Sequence, residues 1–174
     1  MPVNPADSDM TSPHLLYQSD RAATLWLLLP VTLAPVLIVA WLLTLPSEAQ
    51  LLQDFGSSAA ILTWKVGMLL LSSILFWPML WLSGRYVTRV EHVGPQRLRV
   101  TVWTLAGART SEWSAAFSGG EFHEGKLVLP YVPIVDAPWT GYRNPEGKKL
   151  VVDAQGDFPQ GEDALEAAMT RPEK

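Results

Sequence analysis

Between Ala22 and Ser47 the chain carries no charged residue at all. Most of this stretch, Ala22–Pro46, reads AATLWLLLPVTLAPVLIVAWLLTLP. About twenty apolar residues suffice to cross the ~30 Å hydrocarbon layer of a bilayer, so the block is long enough to span with room for tilt. Trp26 and Trp41 stand near its two ends, where amphipathic rings favour the membrane interface. Pro30 and Pro35 are tolerated in such a helix because neighbouring groups satisfy the freed carbonyls, and they predict a bend. Pro46 and the polar pair Ser47-Glu48 predict its end. A cleaved signal peptide would show a basic start and a shorter apolar core. The preceding residues instead hold Asp7, Asp9 and Asp20 against Arg21, which favours a retained anchor and lacks the look of a mitochondrial presequence.

A second apolar block runs from about Ile61 to Leu82 and is uncharged from Val66 to Gly84. Trp64 marks one end; Trp77, Trp81 and Tyr86 mark the other. Ser72 and Ser73 are small and can hydrogen-bond across a close helix contact, which suits packing against the first span or a partner's helix. The connection Ser47–Ser58 is short and implies an antiparallel hairpin. It contains Glu48 and Asp54 but no lysine or arginine, whereas Arg21 precedes the first span and Arg85, Arg89, Arg97 and Arg99 follow the second. The positive-inside rule then places both termini in the cytoplasm, or on the matrix side of a mitochondrial membrane. The expected location is an inner (cytoplasmic) membrane, with more than one pass. Lys65 is the one charge in the second block. It is either a functional intramembrane ion or, more simply, a side chain that snorkels to the interface beside Trp64.

Composition sets the function classes aside in turn. The formal net charge is −4, which argues against a nucleic-acid partner, since such proteins normally present a basic face. The chain has no cysteine, so disulfides, thiolate metal sites and cysteine nucleophiles are excluded. Charged residues are only 17% of the chain, and 11 of the 13 basic ones lie in Arg85–Lys174. There the pattern changes to the period of two that marks strands. Tyr86–Val93 and Arg97–Trp103 alternate about Gly94-Pro95-Gln96 and read as a hairpin. A third strand is expected near Arg109–Phe117, others at Lys126–Tyr131 and Lys148–Asp153, and a short helix at Gly161–Met169. Asn144-Pro145-Glu146-Gly147 and Asp153-Ala-Gln-Gly156 have turn chemistry. The expected fold is therefore an α+β membrane protein. It comprises a disordered tail over 1–20, a two-helix transmembrane hairpin over 21–84 with spans at about 22–46 and 61–82, and a small antiparallel β-sheet domain over 85–174 ending in a short helix.

Candidate site residues are few. Pro130–Tyr142, PYVPIVDAPWTGY, is aromatic, proline-rich and too irregular for a central strand. Either it docks a partner with Tyr131, Trp139 and Tyr142 as contacts and Trp139 as anchor, or it folds over one end of the sheet with Trp139 in the core. Ser72 and Ser73 are the corresponding contacts in the second span. Asp153 and Gly156 are assigned a structural turn, with Gly156 at positive φ. His14, His92 and His123 are scattered over the tail, a strand end and a loop. Glu121-Phe122-His123-Glu124 could contribute to a zinc site but reads more simply as a solvated turn. His92 near the membrane could ligate a haem, but has no partner histidine in either span. No phosphate loop, dinucleotide glycine motif or Gly-x-Ser-x-Gly elbow is present, so no catalytic residue, metal or cofactor is assigned and the chain is not expected to be an enzyme.

The order of two close spans, inward termini and a β-rich domain ending in Leu150-Val151-Val152-Asp153-Ala-Gln-Gly156-Asp157-Phe158 resembles the two-span mitochondrial inner-membrane family of respiratory-chain assembly factors. The similarity is architectural over about Arg21–Met169, with Asp-x-x-Gly-x-Phe as its only local motif. The acidic start departs from the mitochondrial members and points to a bacterial relative. The resemblance implies a non-catalytic accessory or assembly role at a respiratory or photosynthetic membrane complex. Its partners would be other integral membrane subunits and the lipid bilayer. Two rival classes remain: a membrane-tethered pleckstrin-like module acting as a scaffold or lipid-surface reader, distinguished by a full seven-stranded sheet, and a small membrane enzyme.

Overall fold

A computed structural model of the chain describes residues 13–94, 97–114, 117–124 and 138–170. In chain order the elements are β1 (His14–Gln18), α1 (Ala22–Leu42), α2 (Glu48–Phe55), α3 (Ser58–Ser73), α4 (Trp77–Leu82), β2 (Val87–Gly94), β3 (Arg97–Thr104), β4 (Gly107–Ser114), β5 (Ser118–His123), β6 (Trp139–Arg143), β7 (Lys149–Asp153) and α5 (Glu162–Met169). They separate into a β unit, drawn from the two segments 1–23 and 82–174, and a helical unit, Thr24–Trp81. The fold is α+β, with antiparallel sheets and a C-terminal helix.

In the β unit, β1-β2-β3-β4 form one antiparallel sheet and β5-β6-β7 a second. Alternation decides which side chains go inward: Val90, Leu98 and Val100 are fully buried, while Glu91 and Arg99 stand opposite each other on the outer face. Arg99 bonds Glu112 of β4 at 2.8 Å, and Arg89 pairs with Glu91 at 2.6 Å, so the outer ladder is charge-compensated. The inner faces of both sheets and α5 share one core that includes Tyr17, Leu150, Val152, Leu165 and Met169. Glu162 and Asp163 sit in the first turn of α5, where the helix dipole favours acids. At the β6–β7 turn, the Asn144 carboxamide oxygen accepts from Lys148 N at 2.7 Å, and Gly147 takes the left-handed φ of 78° that a side chain would resist.

Several expectations need correction here. The N-terminal tail is not disordered through residue 20, because His14–Gln18 forms β1 and pairs with β2. A strand whose partner lies beyond the whole helical unit leaves no local hairpin signal. Pro130–Tyr142 was expected to be too irregular for a central strand, yet Trp139–Arg143 is the middle strand of its sheet. Glu121-Phe122-His123, expected in a solvated turn, is part of β5. The third strand begins at Gly107 and ends at Ser114, short of Phe117. The expected strand Lys126–Tyr131 falls outside the described residues.

In the helical unit, α1 is continuous through Pro30 and Pro35 and stops at Leu42, four residues before Pro46. At about 1.5 Å per residue its 21 residues are roughly 30 Å long. The second apolar block is not one helix. α3 ends at Ser73 and α4 begins at Trp77. Pro78 explains the break: it has no N–H to give the carbonyl four residues back, and its ring collides with that turn. The connection between the blocks also contains a helix. Ser47 and Gln50 close a capping box at the start of α2, and Gly56 ends it with φ 72°. The axes of α2 and α3 differ by 99°. By length and composition, among the described residues α1 alone qualifies as a membrane-crossing helix; α2 and α3 qualify only as a bent pair.

Candidate functional site

Two features carry the functional argument: a sealed polar seam in the β unit and an uncovered apolar surface on the helical unit. The seam forms where the two sheets meet. Val151 N donates to Arg85 O at 2.8 Å, and Gln18 and Asp157 exchange backbone bonds at 2.9 and 2.8 Å. This places Tyr17 and Ser19, from the end of β1, beside Tyr86, from the start of β2, and Asp153, from the end of β7. Asp153 is 4% exposed. Its carboxylate accepts from Tyr86 Oη at 3.2 Å and from Gln155 N at 2.9 Å, and it pairs with Arg21 Nη1 at 3.2 Å. Arg21 also donates to the Gln155 side-chain oxygen. Ser19 Oγ lies 2.8 Å from Tyr86 Oη, and Tyr17 Oη accepts from Asp153 N at 3.2 Å. Each hydrogen-bonding group named here therefore has a partner, which is what makes such burial tolerable.

Burial raises the Tyr17 hydroxyl above the usual phenol range, with Tyr86 and Asp153 adding to it. Tyr86 is also raised, first by burial and then by Asp153, while Ser19 and Arg21 oppose the shift. These phenols stay neutral near pH 7 and serve as hydrogen-bond groups. Arg21 is the residue before α1, and Tyr86 the residue before β2. The seam thus ties Arg21, which precedes α1, and Tyr86, which precedes β2, to a single carboxylate.

Gly156 belongs to this seam, but not for the expected reason. Its φ is not positive. A Cβ there would strike the Tyr17 ring, with Cζ at 2.9 Å, and would sit 3.0 Å from Gln18 O. Phe158 packs on the same ring at a centroid distance of 5.1 Å. The Asp153-x-x-Gly156-x-Phe158 motif is accounted for by its contacts with β1 and its flank.

The expected partner contacts are dispersed. Tyr142 is 3% exposed and packs in the core, where burial together with Glu166 and Glu162 pushes its hydroxyl up to about 12. It is not a surface contact. Trp139 is half-buried, stacked on His123 at 4.0 Å with Lys149 Nζ 4.7 Å from its ring centroid. It is neither a core residue nor a bare anchor. Tyr131 lies outside the described residues. Ser72 and Ser73 direct their hydroxyls to Leu69 O and Leu70 O of their own helix, at 2.9 and 2.8 Å. Ser73 also accepts from Trp77 Nε1 at 2.9 Å, so it bridges the α3–α4 break. Among the described residues, no three His, Cys, Asp or Glu side chains are grouped to hold a metal ion.

The helical unit presents the opposite picture. Leu27, Val31 and Trp41 of α1, Leu62 and Leu71 of α3, and Trp77 of α4 are all more than half exposed. Only 11% of the most apolar window of α1 is buried. Gly67, Leu70, Leu71, Ile74 and Trp77 line a shallow apolar hollow of about 500 Å³ across the break. Trp64 meets Phe55 of α2 at 5.2 Å, beside Lys65. The sequence reading missed the capping box and the proline break, both of which have local signals. No protein-family model matches the sequence, and no curated protein is significantly similar to it.

Proposed function

We propose that this chain is a non-catalytic, membrane-tethered scaffold: a pleckstrin-like β module whose apolar helical hairpin is inserted between its first and second strands. The observation that carries this reading is the pairing of a helix-capped β unit, with sheets of four and three strands among the described residues, with an inserted helical unit that leaves its large apolar side chains uncovered. The pleckstrin-like alternative is distinguished by a full seven-stranded sheet; among the described residues the strands form one sheet of four and one of three, with α5 packed on their shared core, and this arrangement supports that alternative. Exposing one large apolar side chain fully to water costs about 1.5–3 kcal/mol, and soluble monomers seldom show apolar patches beyond a few hundred Å². The uncovered helices therefore suit a bilayer and neighbouring membrane helices. In this reading α1 is one span, and the bent and broken α2–α3–α4 segment provides the second pass in an inner membrane, both termini facing inward.

The module holds other integral membrane subunits rather than converting a substrate. Its converging polar set is sealed inside the seam, where a substrate has no access: Tyr17, Ser19, Tyr86 and Asp153 are each at most 6% exposed. The compensated outer ladder of Arg89, Glu91, Arg99 and Glu112 favours a scaffold over a reader of anionic lipid. The resemblance to assembly factors supplies the partner class, the subunits of a respiratory or photosynthetic complex. Partner helices seat in the hollow at Gly67, where the backbone is open to close approach.

Two measurements test this reading. Cysteines placed singly at Ser57 and Ser111 are probed with an impermeant maleimide on intact cells; Ser57 is expected to be labelled and Ser111 protected. Membrane proteins that co-purify in mild detergent are compared between wild type and Gly67→Leu, which is expected to stay in the membrane and lose its partners. Equal labelling of both sites, or a wild-type protein that runs alone, would defeat the proposal.

A further inference from the structure

The rim between the four-stranded sheet and α5 holds a second polar feature, outside the seam. His14 of β1 stands directly opposite His92 of β2 in the antiparallel register. Directly opposed residues project from the same face of a sheet, with Cβ atoms about 4.5–5.5 Å apart. That face is the inner one, since His92 is also opposite Leu98, which is fully buried. His14, Leu16 and His92 line a groove of about 490 Å³ together with Gln160 and with Ala164, Ala167 and Ala168 of α5. His14 is exposed and His92 half-buried, and neither imidazole takes part in a hydrogen bond or ion pair among the described residues. The small alanines leave space over the pair that a larger side chain would fill.

We propose that His14 and His92 form a two-imidazole site for a divalent transition-metal ion, which clamps β1 onto β2. Imidazole suits zinc, copper and nickel, and metal–nitrogen bonds of about 2.0–2.1 Å can be met by two rings on directly opposed residues. Two protein ligands leave the other positions to water in the groove. The two histidines lie on opposite sides of the helical unit in sequence, so the ion closes a long loop, the case in which a metal clip restricts the unfolded chain most. A bound ion would hold the strand that leads into α1, independently of whether the helices lie in a bilayer.

The test uses the full chain, without a histidine tag, in lipid nanodiscs titrated with zinc chloride by calorimetry. One ion per chain is expected. His14→Ala and His92→Ala should each weaken binding by at least the ~10–100-fold that even outer-shell changes cause, and His123→Ala should leave it unchanged. Zinc should raise the unfolding temperature of wild type and of the His123 variant alone. In the unaltered protein, paramagnetic copper should broaden the ring-proton signals of two histidines and spare the third, a reading that needs no substitution. Binding that survives both substitutions, a lack of saturable one-to-one binding, or broadening centred on His123 overturns the site.

Discussion

The two units of this chain use apolar residues in opposite ways. In the β unit the alternation of strands sends Val90, Leu98 and Val100 into a closed core, and polar groups that must follow them are paired at the Asp153 seam. In the helical unit the apolar side chains point outward, and few are buried. The first unit is held by its own interior. The second depends on whatever surrounds it, because its helices have little interior to share. The contrast teaches that hydrophobicity by itself does not assign a residue to a core; periodicity and the partners available do.

The sharpest way to break this contrast is a matched pair of truncations. Leu98→Ala should cost the β unit about 2–5 kcal/mol, as for other buried leucines, while Leu71→Ala on α3 should leave its melting within about 0.5 kcal/mol. Thermal unfolding of the full chain in nanodiscs, followed by near-ultraviolet circular dichroism, checks both. Equal losses would mean that the helical surface is a core.

Next comes Arg21→Ala. Removing one partner of a buried pair costs about 3–5 kcal/mol, and the lower end is expected because Arg21 is itself 30% exposed at its side chain. Urea titration measures it, and Arg21→Lys should restore only part of the loss, since Lys cannot also reach Gln155 with a fork of donors. Gly156→Ala should cost about 1–3 kcal/mol through overpacking against Tyr17. Tyr17→Leu should soften that penalty; if it does not, backbone conformation at Gly156 rather than the ring sets the cost.

A smaller effect is expected from alkali. The folded state raises the Tyr17 and Tyr86 hydroxyls above their unfolded value of ~10. The unfolded chain therefore ionises first, and stability present below pH ~10 falls as pH climbs through the folded values, by up to about 1.4 kcal/mol per tyrosine for each pH unit. Tyrosinate absorbance near the unfolding transition reports it; free titration of every tyrosine near pH 10 would contradict the sealed seam. The smallest change is Glu112→Ala on the outer ladder, where the ion pair with Arg99 is exposed and solvent screens it. Chemical denaturation at low and high salt should show a difference that salt removes.

Much of this was readable locally. The charge-free run of α1, the alternation of β2 and β3, the Asn144–Gly147 turn and the acidic start of α5 each announce themselves within a few residues. The break before Pro78 and the Ser47–Gln50 capping box were equally local and needed only closer attention to proline and cap positions. The candidate contacts were not readable in the same way. Tyr142 and Trp139 share one aromatic segment, yet strand alternation and the packing of α5 bury one and leave the other stacked under His123 and Lys149.

By itself the sequence determined what depends on neighbours in the chain: where helices start and stop, where strands alternate, and that one region is too apolar to be at ease in water. Only the tertiary structure decided what depends on distant segments meeting. It brought β1 to β2, which lies beyond the helical unit in sequence, set His14 opposite His92, placed Tyr17 where Gly156 must be bare, and gathered Arg21, Tyr86 and Asp153 at one seam. The physical reason is that such contacts are fixed by the closing of long loops around a shared core, whose cost and reward leave no periodic trace in either partner's own stretch of sequence.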